Sequence, residues 1–210
     1  MIYLVSNTLS NDENVVNLQV CQIKFNKFNI DLSEFDVLIL TSKNAINALK
    51  FSEIVPVNLR VFSIGEATTL AAKDFGFSNV IQAKNSHGRE FGDEILPNLI
   101  GKKVLYIRAK ETVSNLSEFF SQNGVNLTTI VGYENVILSL EPHLKPPKSS
   151  IIVFTSPKNV EAFVRNFAWD SSYKAVAIGN TTAKSLNNFT TSIISKTQSL
   201  DECLNLAKNL

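Results

Sequence analysis

Apolar residues along this chain come in two alternating patterns. Short β-branched and aliphatic runs are followed, again and again, by stretches whose apolar positions recur at helical spacing. Ile2–Val5 predicts a strand, Asp12–Leu18 a weak helix and Val20–Phe25 a second extended run. Val37–Leu40 is unbroken in its hydrophobicity, as expected of a parallel strand covered on both faces. Thr41-Ser42 then opens a helix to about Leu49. Arg60–Ile64 predicts a strand, Gly65 a turn, and Ala67–Phe75 a helix that Gly76 ends from the C′ position. Asn79–Ala83 is a short strand before a polar loop, Lys84–Arg89, and a helix to about Leu99. The alternation resumes with a strand at Lys103–Ile107, a helix from about Val113 to Gln122 and an extended run at Asn126–Val131. Glu141–Ser150, with Pro142, Pro146 and Pro147, reads as connector. Ile151–Phe154, Ala175–Ile178 and Ser192–Ile194 are strands, each followed by a helix, the last over Leu200–Leu210. Strands alternating with helices in this way predict α/β architecture with parallel sheets.

The pattern also repeats. VLILTSKNAINAL, from Val37, returns as IIVFTSPKNVEAF, from Ile151, and FSIGEATTL, from Phe62, returns as VAIGNTTAK, from Val176. Ser42 and Ser156 are 114 positions apart, as are Gly65 and Gly179. Two coincidences in one register imply an internal duplication, and the period is too long for a solenoid. Two similar lobes are expected, with a ligand cleft.

Composition narrows the function classes. A formal charge of +1 offers no basic stripe for nucleic acid, so no nucleic-acid partner is expected. No apolar run approaches membrane-spanning length, and the first residues lack the basic-then-apolar layout of a signal peptide. The cytoplasm is the default compartment. Cys21 and Cys203 stand far apart without metal-ligand spacing, and no acidic cluster suggests a metal. HExxH, GxSxG, P-loop and GxGxxG motifs are missing. His87 and His143 lie in loops and read as surface residues.

What remains is the chemistry of the repeated turns. Each stands where a strand ends and a helix begins, the edge of a parallel sheet that faces ligands. Ser42 and Ser156 occupy N-cap positions, and Pro157 suits the first helical turn. Gly65 and Gly179 permit a tight turn with backbone amides close to a ligand, while Thr68 and Thr182 lie in the first turns that follow. Helix N-termini and small hydroxyls suit anions. Each residue alone is equally well explained as a cap or a turn. Lys43 and Lys158 lie beside these turns and read as solvated lysines.

Together with VLYIR (from Val104) and VGYEN (from Val131), the ordered set of FTSPKNVEAF, AIGNTTA and the paired TS turns resembles the uroporphyrinogen-III synthase family. The resemblance implies two flavodoxin-like three-layer (α/β/α) lobes that have exchanged strands and are joined by a two-stranded linker. Lobe 1 would combine residues 1–22 and 145–210, lobe 2 would be 36–130, and 23–35 and 131–144 would be the linker strands. It implies a monomeric lyase that needs no cofactor. Its substrate would be hydroxymethylbilane, closed to uroporphyrinogen III with inversion of the terminal ring and loss of water. The synthase that makes hydroxymethylbilane is an expected partner. Orientation and proximity would carry this catalysis, because the reactive azafulvene otherwise closes without inversion.

Carried onto this chain, the resemblance implies Tyr133 as the general acid for the leaving hydroxyl, against the alternative of a packed linker tyrosine. It implies substrate contacts at Ser42, Gly65, Thr68, Arg108, Ser156, Gly179, Thr181 and Thr182. Arg108 could clamp a propionate or sit in an ion pair. Ser6-Asn7 replaces the Thr-Arg of many relatives, and Ala109-Lys110-Glu111 replaces a glycine-rich turn. Glu66, beside Gly65, suits a helix dipole but opposes an anionic substrate. A two-lobed anion-binding module without catalysis is the alternative reading.

Overall fold

The structure, a computed structural model, describes residues 1–85, 88–112 and 114–210. His87 and the start of the helix expected from Val113 lie outside the described residues. The chain divides into two compact units, Met1–Gln22 with Val136–Leu210, and Ile23–Asn135.

Unit 1 opens with strands β1 (Ile2–Val5) and β2 (Val15–Asn17). The helix expected over Asp12–Leu18 is not formed. Asp12 Oδ1 accepts from the Asn14 N–H at 3.0 Å, and the Val15 N–H reaches the Asp12 carbonyl at 3.0 Å, which closes a turn. Val15-Val16, β-branched and stiff, then pairs in parallel with Ile2-Tyr3. Strand β3 (Cys21–Phe25) leads into unit 2, where β4 (Val37–Leu40), helix α1 (Lys43–Phe51), β5 (Arg60–Ser63) and α2 (Glu66–Phe75) follow. Then come β6 (Val80–Gln82), α3 (Gly88–Ile95), β7 (Lys103–Ala109), α4 (Leu116–Gln122) and β8 (Asn126–Ile137). The chain completes unit 1 with β9 (Ile151–Phe154), α5 (Pro157–Phe167), β10 (Lys174–Ala177), α6 (Asn180–Leu186), β11 (Ser192–Ile194) and α7 (Leu200–Lys208).

The sheet of unit 1 is ordered β11-β10-β9-β1-β2, and that of unit 2 β3-β8-β7-β4-β5-β6. Neighbours from β11 to β2 and from β8 to β6 are parallel. Beside β4, strands β7 and β8 take the places that β1 and β2 take beside β9. The extended run expected from Asn126 continues without interruption to Ile137. Along it, the Asn26 N–H donates to the Gly132 carbonyl and the Leu138 N–H to the Val20 carbonyl, each at 2.9 Å. The segment after Phe25 does not stay extended, since Leu32–Glu34 forms a 3-10 turn capped by Asp31.

Each unit has three layers because its central strands are apolar on both faces. In unit 2, Leu38 and Leu40 join a core with Ala45, Ile46, Leu49 and Ala72 of α1 and α2. Val37 and Ile39 point the other way, into a core with Phe91 of α3 and Phe120 of α4. Unit 1 repeats the plan, with Phe154 and Ile152 against α5 and α6 and Val153 against α7. Phe163 of α5 anchors that first core, 5.4 Å from Phe154 and 5.4 Å from Phe167 between ring centroids, with Trp169 and Tyr173 around it. Helix ends follow the expected chemistry. Gly76 stops α2 at φ 118°, the left-handed conformation that glycine adopts without a Cβ penalty.

Candidate functional site

In unit 2 the carboxyl ends of β4, β5 and β7 carry Thr41-Ser42, Gly65 and Arg108, and Tyr133 lies within β8, opposite Ala109 at the end of β7. Ser42 is the N-cap of α1, and its Oγ accepts from the Asn44 N–H at 3.1 Å. Tyr133 is buried in the core under α1 and α2. Burial pushes its phenol above the ordinary tyrosine value, and hydrogen bonding by the Ser42 hydroxyl opposes that rise. The group is therefore a neutral proton donor through the physiological range. Tyr106 of β7, 1% exposed, reaches the neighbouring hydroxyl, with its Oη 3.1 Å from Thr41 Oγ1.

Arg108 stands where β7 ends, but its guanidinium folds back onto its own strand. Nη1 donates to the carbonyls of Ala109 at 2.9 Å and Lys110 at 3.1 Å, while Nε is buried without a partner. A buried, unpaired donor of a cation is costly, so this side chain gains from any acceptor that reaches it.

Gly65 caps α2 with an extended backbone, φ −172°, and Gly179 caps α6 at φ −173°. Neither turn requires glycine for its conformation, which corrects the expectation from sequence. What Gly65 provides is space, since a Cβ built there would meet no atom within 4 Å. At Gly179 the Gln198 side chain already stands 3.5 Å away. Thr68 and Thr182 are buried in the first turns of α2 and α6, whereas Thr181 is exposed. The sequence reading missed Thr69, whose Oγ1 lies 2.6 Å from Ser63 Oγ and donates to the Gly65 carbonyl at 3.0 Å. That bond ties the end of β5 to the start of α2.

Unit 1 presents the corresponding edge with different partners. Ser156 caps α5 by accepting from the Asn159 N–H at 3.2 Å. Asn159, also missed in the sequence, is 3% exposed and donates from Nδ2 to the Val5 carbonyl and to Thr155 Oγ1, each at 3.1 Å. Its Oδ1 is buried and unpaired. Beyond β11, Glu202 accepts from Ser195 Oγ at 2.7 Å, from the Thr197 N–H at 2.6 Å and from the Thr197 hydroxyl. These bonds hold its carboxyl down to about 2. Lys158 pairs with Glu161 at 3.1 Å, and Lys43 and Glu66 are exposed. His143 lies exposed in a 3-10 turn.

Such edges can hold anions on backbone N–H groups at helix N-termini and can deliver a proton from a phenol. Among the described residues, no group of three His, Cys, Asp or Glu side chains could hold a metal, and no helix is long and apolar enough to cross a membrane.

Comparison with known proteins gives these edges a context. A search of curated proteins returned no match. Among solved structures, uroporphyrinogen-III synthetase from Helicobacter pylori is 31% identical, with a TM-score of 0.82 over 99% of this chain and 98% of that one. A mutant uroporphyrinogen III synthase from Thermus thermophilus is 13% identical, with a TM-score of 0.59 over 99% of this chain and 97% of that one, and so shares the fold. The sequence model described as uroporphyrinogen-III synthase HemD matches residues 14–205, a span that takes in Ser42, Tyr133 and all of the paired turns. With that span and the Helicobacter likeness, the chain belongs to the uroporphyrinogen-III synthase family.

Proposed function

We propose that this lyase of tetrapyrrole biosynthesis closes hydroxymethylbilane to uroporphyrinogen III with Tyr133 as its proton donor. The observation that carries the reading is the Tyr133 phenol, kept neutral by burial within β8, opposite the end of β7, with the Ser42 hydroxyl as the group that opposes the rise. A phenol so held can give its proton to the departing hydroxyl of the substrate. Water then leaves, and the resulting azafulvene is attacked by the terminal ring. Inversion requires that the substituted α-carbon of that ring attack first, giving a spiro centre whose old bond to the neighbouring ring's methylene then breaks. The freed methylene is re-joined at the unsubstituted α-carbon, which loses its proton, so the net change is one water, and the order of these bonds is a matter of held geometry. The substrate carboxylates would be taken by backbone amides at the N-termini of α1 and α5 and by Arg108, with Gly65 leaving room for close approach. Thr68, Thr181, Thr182, Ser156 and Gly179 complete the assigned contacts.

The fold is read with the chemistry. Numbered within unit 1, the strands run 2-1-3-4-5, a flavodoxin-like order, and unit 2 has the same spatial plan with its last two strands in the places of the first two. We take this as a duplication whose copies exchanged their first two strands, with the chain segments around β3 and the end of β8 as linkers. The enzyme is taken to act as a monomer in the cytoplasm, without a cofactor. Because its substrate closes spontaneously, the synthase that supplies hydroxymethylbilane is its natural partner.

The test is a coupled assay with freshly made hydroxymethylbilane and separation of the product isomers. Uroporphyrinogen III is expected. If only the uninverted isomer I forms, the activity is not present and an anion-binding role takes its place. Tyr133→Phe should lower turnover by about ten- to a hundredfold, the lower part of the range for general acids, with a smaller effect on product binding. Unchanged turnover would remove Tyr133 from the acid role.

A further inference from the structure

The loop after β4 presents two consecutive hydroxyls, and a different tyrosine engages each. Thr41 Oγ1 is 3.1 Å from Tyr106 Oη, and the Ser42 hydroxyl is the side chain that acts on the Tyr133 phenol, lowering it against its burial. The rings come from opposite faces of the sheet. Tyr106 belongs to the core with α3 and α4, and Tyr133 to the core with α1 and α2. At 1% exposure, Tyr106 cannot swing away without opening its core. The Tyr106 phenol is raised mainly by burial, lowered by Thr41, raised further by Tyr133 and lowered by Arg108. The two phenols and the guanidinium are therefore one electrostatic cluster.

Unit 1 secures the equivalent threonine without a phenol. Thr155, 114 positions after Thr41, accepts from Asn159 Nδ2 at 3.1 Å. Leu4 of β1 faces Val153 in the register where Tyr106 of β7 faces Ile39. The core position that carries a hydroxyl in unit 2 is thus apolar in unit 1. Core packing alone is satisfied by leucine, so the Tyr106 hydroxyl has a task peculiar to the unit that carries Tyr133.

We propose that Tyr106 is a positioning residue for the cyclisation: its hydroxyl fixes Thr41, and through the Thr41-Ser42 backbone it fixes the Ser42 hydroxyl that orients Tyr133. Ser42 Oγ already accepts from the Asn44 N–H at 3.1 Å, which leaves its one hydrogen for the phenol. Where that hydrogen points depends on where the strand end holds Ser42. A threonine side chain has few χ1 wells, and the bond to Tyr106 selects one of them. The inference rests on Tyr133 being the proton donor.

The experiment is a double-mutant cycle read in kcat, KM and melting temperature. Tyr106→Phe keeps the ring and should lower kcat by about three- to tenfold, the worth of one neutral hydrogen bond, with KM within about twofold. In a Tyr133→Phe background the same change should cost no further kcat, because the group it positions is gone. A full additional loss in that background would show a merely structural role and overturn the proposal. Unchanged kcat in Tyr106→Phe, with turnover lost in Tyr133→Phe, would overturn it and leave the donor assignment standing. Full turnover in Tyr133→Phe would remove the donor assignment and this proposal with it. If Tyr106→Phe does not fold, Thr41→Val breaks the same bond from the other side. It should give the same fall in kcat and the same lack of additivity, and its failure to do so overturns the proposal equally.

Discussion

Replacing Gly132 with alanine tests how tightly the strand that carries Tyr133 is fitted against α1. Two effects of opposite sign compete. Alanine restricts the unfolded chain, which stabilises by about 0.4–1 kcal/mol where the native site accepts it. At Gly132 the new Cβ would stand 2.8 Å from Ile107 Cγ2 and 3.0 Å from Ala48 Cβ. Neither neighbour yields easily. The Ala48 methyl moves only with the backbone of α1, and Ile107 is a β-branched residue fully buried in β7. Overpacking of this kind costs about 1–3 kcal/mol, so the steric effect should win by about 0.5–2 kcal/mol. For a chain of this size that is a fall of about 1–8 °C in melting temperature. Turnover at a temperature where the variant is fully folded should also fall, because the displaced residue precedes Tyr133 directly and α1 carries the Ser42 cap. Thermal unfolding and turnover of the same preparation decide the matter. A melting temperature equal to or above that of the unmodified protein would refute the packing argument.

Gly65→Ala is the complementary case: its Cβ meets nothing within 4 Å and its φ of −172° is open to any residue. The melting temperature should hold or rise slightly while KM for hydroxymethylbilane rises, and an unchanged KM would remove Gly65 from the substrate contacts. Glu202, held down to about 2 by the Ser195 and Thr197 donors, has a folded value below its unfolded one. Its contribution is complete above about 4.5, the ordinary glutamate value, and is lost as pH falls through about 2. Glu202→Gln should therefore lower the melting temperature at pH 6 and converge on the parent protein as pH falls through about 2. Parallel melting curves across that range would show that the carboxylate contributes nothing.

The elements visible in the sequence are those whose local pattern and tertiary role agree. Val37–Leu40 reads as a doubly covered strand and is buried on both faces, and Ile151–Phe154 reads as a strand and is one. Ser42 and Ser156 read as caps and cap their helices through their hydroxyls. Val15–Asn17 misled because three residues carry no period. Its strand state comes from pairing with β1, and the Asp12 turn that starts it costs the segment any helix. Tyr106 was hidden for a different reason. In an apolar strand a tyrosine reads as core, and its hydrogen-bond partner lies 65 positions away. Asn159 was hidden likewise, because a polar residue in the first turn of a helix reads as solvated until Val5, 154 positions distant, is seen to need it. Local pattern reports periodicity and caps, whereas bonds between strands distant in sequence have no local signature.

Those distant bonds also explain why the two units, so alike in their repeated turns, need not do the same work. Each must hold the strand next to its central one, β1 beside β9 and β7 beside β4, and each uses the threonine after the central strand. In unit 1 the tie is an amide that donates to both the Val5 carbonyl and Thr155, leaving Ser156 to cap α5. In unit 2 the residue equivalent to Asn159 is Ala45, which can make no such bond, and the threonine is tied instead by a phenol from β7. The exchange of an amide for a phenol places a second titratable hydroxyl within the electrostatic reach of Tyr133 and Arg108. A packing role alone would not distinguish the units in this way, since leucine fills the same register in unit 1. The difference falls in the unit that carries Tyr133, the residue proposed above as proton donor, and so it is in unit 2 that the double-mutant cycle should find the two tyrosines coupled.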